Sequence, residues 1–304
     1  MIQDIEPRQY HNEFAVKKPG MKDFFLYFEG NQVLMKKEKD SFAVMTFEDI
    51  QDQTLREQVM EEAEYLFCID AFSYFSARDA LGLMKLAEED DSLSICDISL
   101  FRELEPQFMG FAGITASQIY RFRKSRKYCG KCGHLMEYGT VERSMCCPAC
   151  GNVEYPKISP AVTVAVINGG RLLMAKSAAG SFRRFALIAG YVEIGETFEQ
   201  TVHREVMEEV GLKVKNLQYY KSQPWAFSDT EMIGYFAELD GDDRITLQES
   251  ELAEARWFTR EEIGEYPATS LTYEMVNLFK AGKNPVFHAD VSDEGRDGTG
   301  KKDI

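Results

Sequence analysis

Apolar and polar positions alternate with a helical period over residues 198–210. Phe198, Val202, Val206 and Val210 recur every fourth residue, which predicts a helix with one buried side. Thr197 stands as its N-cap, with Gln200 as capping-box partner, and Gly211 closes it as a C-terminal glycine. Around this helix the pattern changes to short apolar runs. Val162 to Ile167 and Arg171 to Lys176 flank Asn168-Gly169-Gly170, a hairpin signal. Phe185 to Ala189, Leu217 to Gln223, Met232 to Leu239 and Ala255 to Phe258 read as strands, and Ser270 to Lys280 as a helix. Strands and helices segregate into a mixed sheet flanked by helices, α/β (α+β) in class. Nearer the N-terminus, apolar runs flank Glu29-Gly30-Asn31 as a hairpin, Tyr65 to Ile69 is a strand, and Ala77 to Glu88 and Gln107 to Arg126 are helices. The organisation expected is an N-terminal α+β domain (1–125), a cysteine-rich segment (126–154), a sheet-and-helix domain (155–287) and a disordered tail (288–304), the last because it holds almost nothing to bury.

Composition narrows the picture. The 304 residues are 44% hydrophobic, enough for real cores. No apolar run approaches the ~20 residues needed to span a bilayer, and neither end carries a signal or anchor pattern, so a cytoplasmic location is expected. A net charge of −15 opposes broad, non-specific nucleic-acid binding. An anionic substrate must then be drawn in by metal and a few basic groups. Arg121, Arg123, Lys124, Arg126 and Lys127 form a basic run that reads as a solvated helix end.

The polar face of the 198–210 helix carries the chemistry. Residues 190–212 read GYVEIGETFEQTVHREVMEEVGL. At 100° per residue, Glu205, Glu208 and Glu209 fall within about 100° of arc. Three carboxylates on one face repel each other unless a cation lies between them. All-oxygen ligands select a hard ion, Mg²⁺ or Mn²⁺. An ion held there can bind phosphate oxygens and activate a water.

Five of the seven cysteines crowd into positions 129–150. Cys129 and Cys132 form one knuckle and Cys147 and Cys150 another, the spacing of a four-cysteine zinc ribbon. Gly130, Gly133 and Gly151 supply the tight turns, and Cys146 is the odd one out. A closed Cys₄ site is structural.

The 190–212 pattern is a Nudix box. Two further features narrow the resemblance: the ribbon just before the sheet domain, and Ser222-Gln223-Pro224-Trp225-Ala226-Phe227-Ser228-Asp229-Thr230 shortly past the box. Together with YCGKCG and Tyr155-Pro156-Lys157-Ile158-Ser159-Pro160, these resemble the NADH pyrophosphatase family of Nudix hydrolases, which also remove NAD caps from RNA. The resemblance implies a Nudix mixed-sheet α/β/α sandwich. It implies that Glu205, Glu208, Glu209, Glu251 and the Ala189 carbonyl bind divalent ions, and that Arg204 and Glu196 pair as a brace. It further implies that Gln223 through Thr230 contact the dinucleotide, that Tyr155 and Tyr191 stack on the base, that Glu142 contacts substrate, and that the protein is a homodimer whose sites are completed across subunits. Thr272 stands where the family usually has alanine. Ala226 and Ser228 stand where its SQPWPFPxS motif has prolines, which loosens the segment. Restoring both prolines is expected to tighten KM for NADH.

The reaction expected is hydrolysis of NADH or NAD⁺ to the nicotinamide mononucleotide and AMP, and removal of 5′-NAD caps from RNA. Glu205, Glu208 and Glu251 are all open as the general base. Two other readings stand beside it: a Nudix hydrolase for ADP-ribose or a dinucleoside polyphosphate, and a non-catalytic sensor of NAD or RNA ends. On their own, Trp225 and Phe227 also fit plain core aromatics.

Overall fold

The computed structural model describes residues 1–77, 82–178 and 184–287; the expected tail, 288–304, lies outside them. The N-terminal unit is built on two small sheets. One is five-stranded, in the order Tyr10–His11, Glu64–Ile69, Phe72–Ser76, Phe24–Leu26 and Met45–Thr46. In the other, Gln32–Lys37 pairs with Phe28–Glu29, Phe42–Ala43 and Leu93–Asp97. The 29–31 hairpin forms as read, with Gly30 left-handed at φ 59°. Helix α1 (Gln107–Ser125) buries ten residues against this unit. The helix expected over 77–88 is shorter: a 3-10 turn at Leu83–Lys85 and one helical turn at Leu86–Glu89. Gly82 precedes them in the left-handed region (φ 56°) and breaks the path; residues 78–81 are outside the described set.

The C-terminal unit is a six-stranded sheet. Its strands are β1 (Ser159–Asn168), β2 (Arg171–Ser177), β3 (Ile188–Tyr191), β4 (Val214–Trp225), β5 (Thr230–Leu239) and β6 (Leu252–Thr259). The order is β4-β5-β1-β2-β6, with β3 also pairing β1. The β1–β5 pair is parallel and the other pairs are antiparallel. Period-two alternation on β1 assigns the two faces. Val162, Val164 and Val166 pack with Val202, Val206 and Val210 of α2 (Phe198–Val210). Ala165 and Ile167 pack with Leu271, Met275 and Phe279 of α3 (Leu271–Lys280). This is the α/β/α sandwich, and it sets α2 on one face and the start of α3 on the other. No helix of the described residues is long and apolar enough to cross a membrane.

Between the two units lies a three-stranded ribbon of Glu137–Tyr138, Met145–Cys146 and Val153–Glu154. The basic run at the end of α1 is solvated only in part: Lys124 and Lys127 are exposed, while the three arginines are paired. Arg121 binds Asp229, Arg123 binds Glu64, and Arg126 binds Glu154. These carboxylates come from distant parts of the chain, so residue spacing could not reveal them.

Candidate active site and metal centre

Local signals build α2 as read. Thr197 Oγ1 accepts from the Gln200 N–H at 3.2 Å, and Gln200 Oε1 accepts from the Thr197 N–H at 2.8 Å. Gly211 ends the helix at φ 69°. This fixes the rotation of the helix, so Val202, Val206 and Val210 face the sheet while Glu205 and Glu209 meet its edge. At Gly190 on β3, an added Cβ would lie 2.0 Å from the Glu205 carboxylate. Only glycine there admits Glu205 to the strand that carries Ala189.

Arg204 organises the acidic face. Its Nε donates to Glu196 Oε1 at 2.6 Å and its Nη2 to Glu196 Oε2 at 2.8 Å, a bidentate pair. Nη1 donates to Glu205 at 2.7 Å and Glu208 at 3.2 Å, and Nη2 also reaches the Tyr191 carbonyl at 2.9 Å. Arg204 thereby holds the Glu196 carboxyl down to about 2. The brace between loop and helix is present as expected.

Glu209 differs from its neighbours. It is 6% exposed, and no ion pair or hydrogen bond holds its carboxylate among the described residues. Burial pushes its pKa up to about 8, with the charges of Glu205, Glu251 and Glu208 adding to the effect. Burial also raises that of Glu205. Glu251 arrives because its loop is stitched to the end of α2: Thr246 N–H donates to the Val210 carbonyl (2.9 Å) and Gln248 N–H to the Glu209 carbonyl (3.0 Å). Four carboxylates thus share one patch, with the most buried one uncompensated. All four offer carboxylate oxygen, the donor type a hard divalent cation takes, but no three of them bring their oxygens as close together as the four ribbon cysteines bring their sulfurs.

The raised Glu209 has a testable consequence. The folded chain keeps a proton that the unfolded chain loses in the ordinary carboxylate range. Stability of metal-free protein should therefore fall as pH rises from that range through about 8, and a saturating divalent ion should cancel the fall. Thermal melts across pH, with and without Mg²⁺, check this; a metal-free stability flat over the interval contradicts it.

The cysteines converge as their spacing implies. The Sγ atoms of Cys129, Cys132, Cys147 and Cys150 lie within 4.8 Å of one another, the only such convergence of possible metal-ligating side chains among the described residues. Cys129–Cys150 is 3.7 Å and Cys132–Cys147 is 3.4 Å, near the ~3.8 Å edge of a tetrahedron with zinc–sulfur bonds of about 2.3 Å. Each knuckle closes through a glycine N–H, Gly133 to the Cys129 carbonyl and Gly151 to that of Cys147. Cys146 stands outside the cluster, on the strand paired with Glu137.

The 222–230 segment is the end of β4, a turn and the start of β5. Gln223 is buried and its amide is fully engaged, donating to Gln3 (2.8 Å) and the Thr269 carbonyl (3.2 Å) and accepting from the Leu271 N–H (2.6 Å). Trp225 and Phe227 pack on each other at 4.9 Å and against the N-terminal core, beneath the Arg102 guanidinium. Ala226 is buried in that same core. Beside the segment opens a cleft of about 550 Å³ lined by Arg102, Gln223, Trp225, Met232, Thr272 and Tyr273 among others. Thr272 meets Thr163 of β1 hydroxyl to hydroxyl at 3.1 Å. Tyr191 and Tyr155 are both half-exposed. Tyr191 Oη lies 3.3 Å from Thr230 Oγ1, and Tyr155 donates to Glu142 at 2.8 Å. Arg102 and Arg121 are the site-forming residues that sequence reasoning missed. Arg121 had a signal, the basic run, and it pointed the other way.

The turn qualifies the proline expectation. Ser228 N–H closes it by donating to the Trp225 carbonyl at 3.2 Å. Ala226 occupies the second turn position, which proline favours, but a proline at 228 would forfeit the closing bond. Ala226→Pro alone should stabilise by up to about 1 kcal/mol, whereas Ser228→Pro should cost about 1 kcal/mol. Denaturant melts of the two single variants separate these; equal effects of the same sign refute the assignment.

Residues 157–279 match the NUDIX domain family. The chain is 44% identical over 158 residues to the NAD-capped RNA hydrolase NudC of Haemophilus influenzae, covering 50% of this chain and 59% of that one. It is 48% identical over 148 residues to the NudC of Actinobacillus succinogenes, covering 46% and 56%. The chain thus spans about half the length of the curated relatives it matches. A NUDIX hydrolase crystal structure from Nitrosomonas europaea aligns over 53% of this chain and 96% of that one, at 22% identity and a TM-score of 0.46.

Proposed function

With residues 157–279 belonging to the NUDIX domain family, we propose that this chain hydrolyses the pyrophosphate bond of NADH or NAD⁺ to nicotinamide mononucleotide and AMP, and removes 5′-NAD caps from RNA. The observation that carries the reading is the uncompensated, buried Glu209 within the Glu205–Glu208–Glu251 patch, one β-strand away from a segment that resembles a dinucleotide contact. A sensor gains nothing from burying such a carboxylate. The relatives' names support the choice of NAD among nucleoside diphosphates.

Glu205, Glu208, Glu209, Glu251 and the Ala189 carbonyl would hold Mg²⁺ or Mn²⁺. When bound, the ions neutralise the pyrophosphate and lower the pKa of a coordinated water. The chain's own residues do the rest. Arg204, tied to Glu196 and the Tyr191 carbonyl, fixes α2 against β3 so that the carboxylates need not rearrange. Glu205, Glu208 and Glu251 are the candidates to accept the proton of the attacking water; Arg204 engages Glu205 and Glu208, and Glu251 is exposed. Tyr191, next to Gly190, and Tyr155 offer ring faces to a base, and Glu142, which accepts from the Tyr155 hydroxyl, is a further substrate contact. Cys129, Cys132, Cys147 and Cys150 would hold zinc in a structural role. The same reading takes the protein as a cytoplasmic homodimer, which sedimentation tests for the assembly.

A substrate panel tests the reading: NADH, NAD⁺, ADP-ribose, a dinucleoside tetraphosphate and NAD-capped RNA, each with Mg²⁺ and Mn²⁺. The expected result is the highest kcat/KM on an NAD-containing substrate. A clear preference for ADP-ribose or the tetraphosphate would replace this reading with the runner-up.

A further inference from the structure

The turn at 226–229 lacks the internal restraint that prolines would give it, yet it is held from outside. Arg121, on α1 of the N-terminal unit, reaches it with one guanidinium. Its Nη2 donates to the Ala226 carbonyl and, at 2.6 Å, to Asp229 Oδ1. Its Nη1 is anchored on its own helix by Ser117 Oγ at 2.8 Å. Asp229 is one of three described non-glycine residues at positive φ (56°), a conformation that costs energy and persists only where its surroundings enforce it. The ion pair to Arg121 does so from one side. From the other, Ser159 N–H at the start of β1 donates to the Asp229 carbonyl at 2.8 Å.

Polar contacts lead from the pinned turn toward the acidic patch. Ser228 Oγ lies 2.9 Å from Thr230 Oγ1, and Thr230 Oγ1 lies 3.3 Å from Tyr191 Oη. Tyr191 is the residue whose carbonyl Arg204 holds. Arg121 therefore sits at the outer end of a continuous path from the N-terminal unit to the strand beside Glu205.

We propose that Arg121 is a positioning residue for substrate recognition: it latches the 226–229 turn in its bound shape, adding from the N-terminal unit to the closing bond of the Ser228 N–H the restraint that Ala226 does not supply. The proposal rests on the reading that this segment contacts a dinucleotide. Binding then avoids most of the cost of ordering the turn. Without the latch that cost appears in KM, because the acidic patch is untouched.

The test uses the full-length protein. Arg121→Gln should raise KM for NADH about tenfold, the loss expected from a charge-assisted bond. It should leave kcat within about twofold, because uniform binding alone is lost. KM for ADP-ribose, which touches less of the turn, should move little. Arg121→Lys should rescue only in part, since a point charge cannot grip both the carbonyl and the carboxylate. Adding Ala226→Pro to Arg121→Gln should recover part of the lost KM, an outcome that a merely structural arginine would not give. Amide exchange over residues 222–230, measured without substrate, should quicken in Arg121→Gln. An unchanged KM for NADH, or equal rises for NADH and ADP-ribose, overturns the proposal. If the wild-type chain hydrolyses no dinucleotide, the functional reading fails on its own. Exchange then decides the latch: faster exchange keeps it and unchanged exchange overturns it.

Discussion

Glu209→Gln should lower kcat on NADH by at least about 10³-fold, roughly 4 kcal/mol of transition-state stabilisation, and leave the fold intact. Glutamine keeps the shape and the packing of Glu209 against the sheet, so no cavity forms. What it removes is the one buried carboxylate of the patch that no protein group neutralises. Its pKa is raised to about 8 by burial and by three neighbouring carboxylates, so a neutral glutamine resembles the protonated form at neutral pH and relieves repulsion above it. The metal-free variant should melt no lower than metal-free wild type, while losing the stabilisation that divalent ions give. Glu208→Gln should fall in kcat as well, although Glu208 is exposed and shares Arg204. Near-full turnover of either variant at saturating Mn²⁺ contradicts the assignment.

Purified protein should carry one zinc per chain, and removing it should unfold the ribbon. Apart from anchors such as Arg143 on the Leu66 carbonyl, little within the segment holds its knuckles together. Its three strands are two residues each, and its small core of Phe122, Met136 and Met145 includes the ligands Cys129 and Cys147 themselves. Structural zinc contributes on the order of 10 kcal/mol to folding in comparable sites, far more than that core. Cys147→Ser should therefore lower Tm sharply and destabilise the 126–154 region first, whereas Cys146→Ser, outside the cluster, should leave zinc content unchanged. Elemental analysis finding no zinc, or a Cys147→Ser protein with native Tm, refutes the ribbon's role.

What could be read from the chain were features with a short physical range. The cap at Thr197, the stop at Gly211, the valine stripe and the Cys-x₂-Cys pairs depend on residues within a few positions, and each forms as read. Glu196 and Arg204 meet as the resemblance implied. The basic run failed because its partners, Glu64, Asp229 and Glu154, are brought to α1 only by the tertiary fold. Of the 77–88 helix, the described part is short because Gly82 is left-handed, a conformation no right-handed helix contains, and only a 3-10 turn and one helical turn follow it. Gln223 lines the cleft beside the segment, but its amide is engaged by Gln3, Thr269 and Leu271, three groups no local pattern could bring together. The proline expectation is qualified at Ser228 for a related reason, since the donor role of its N–H is visible only once the turn is built.

On the proposed reading, the acidic face of α2 cleaves a dinucleotide between its two phosphorus atoms. Incubating NADH with the protein and Mn²⁺, then resolving the products by chromatography, tests it most directly. The result expected is equimolar AMP and reduced nicotinamide mononucleotide, abolished in Glu209→Gln. Intact NADH, or release of nicotinamide with ADP-ribose, would contradict it.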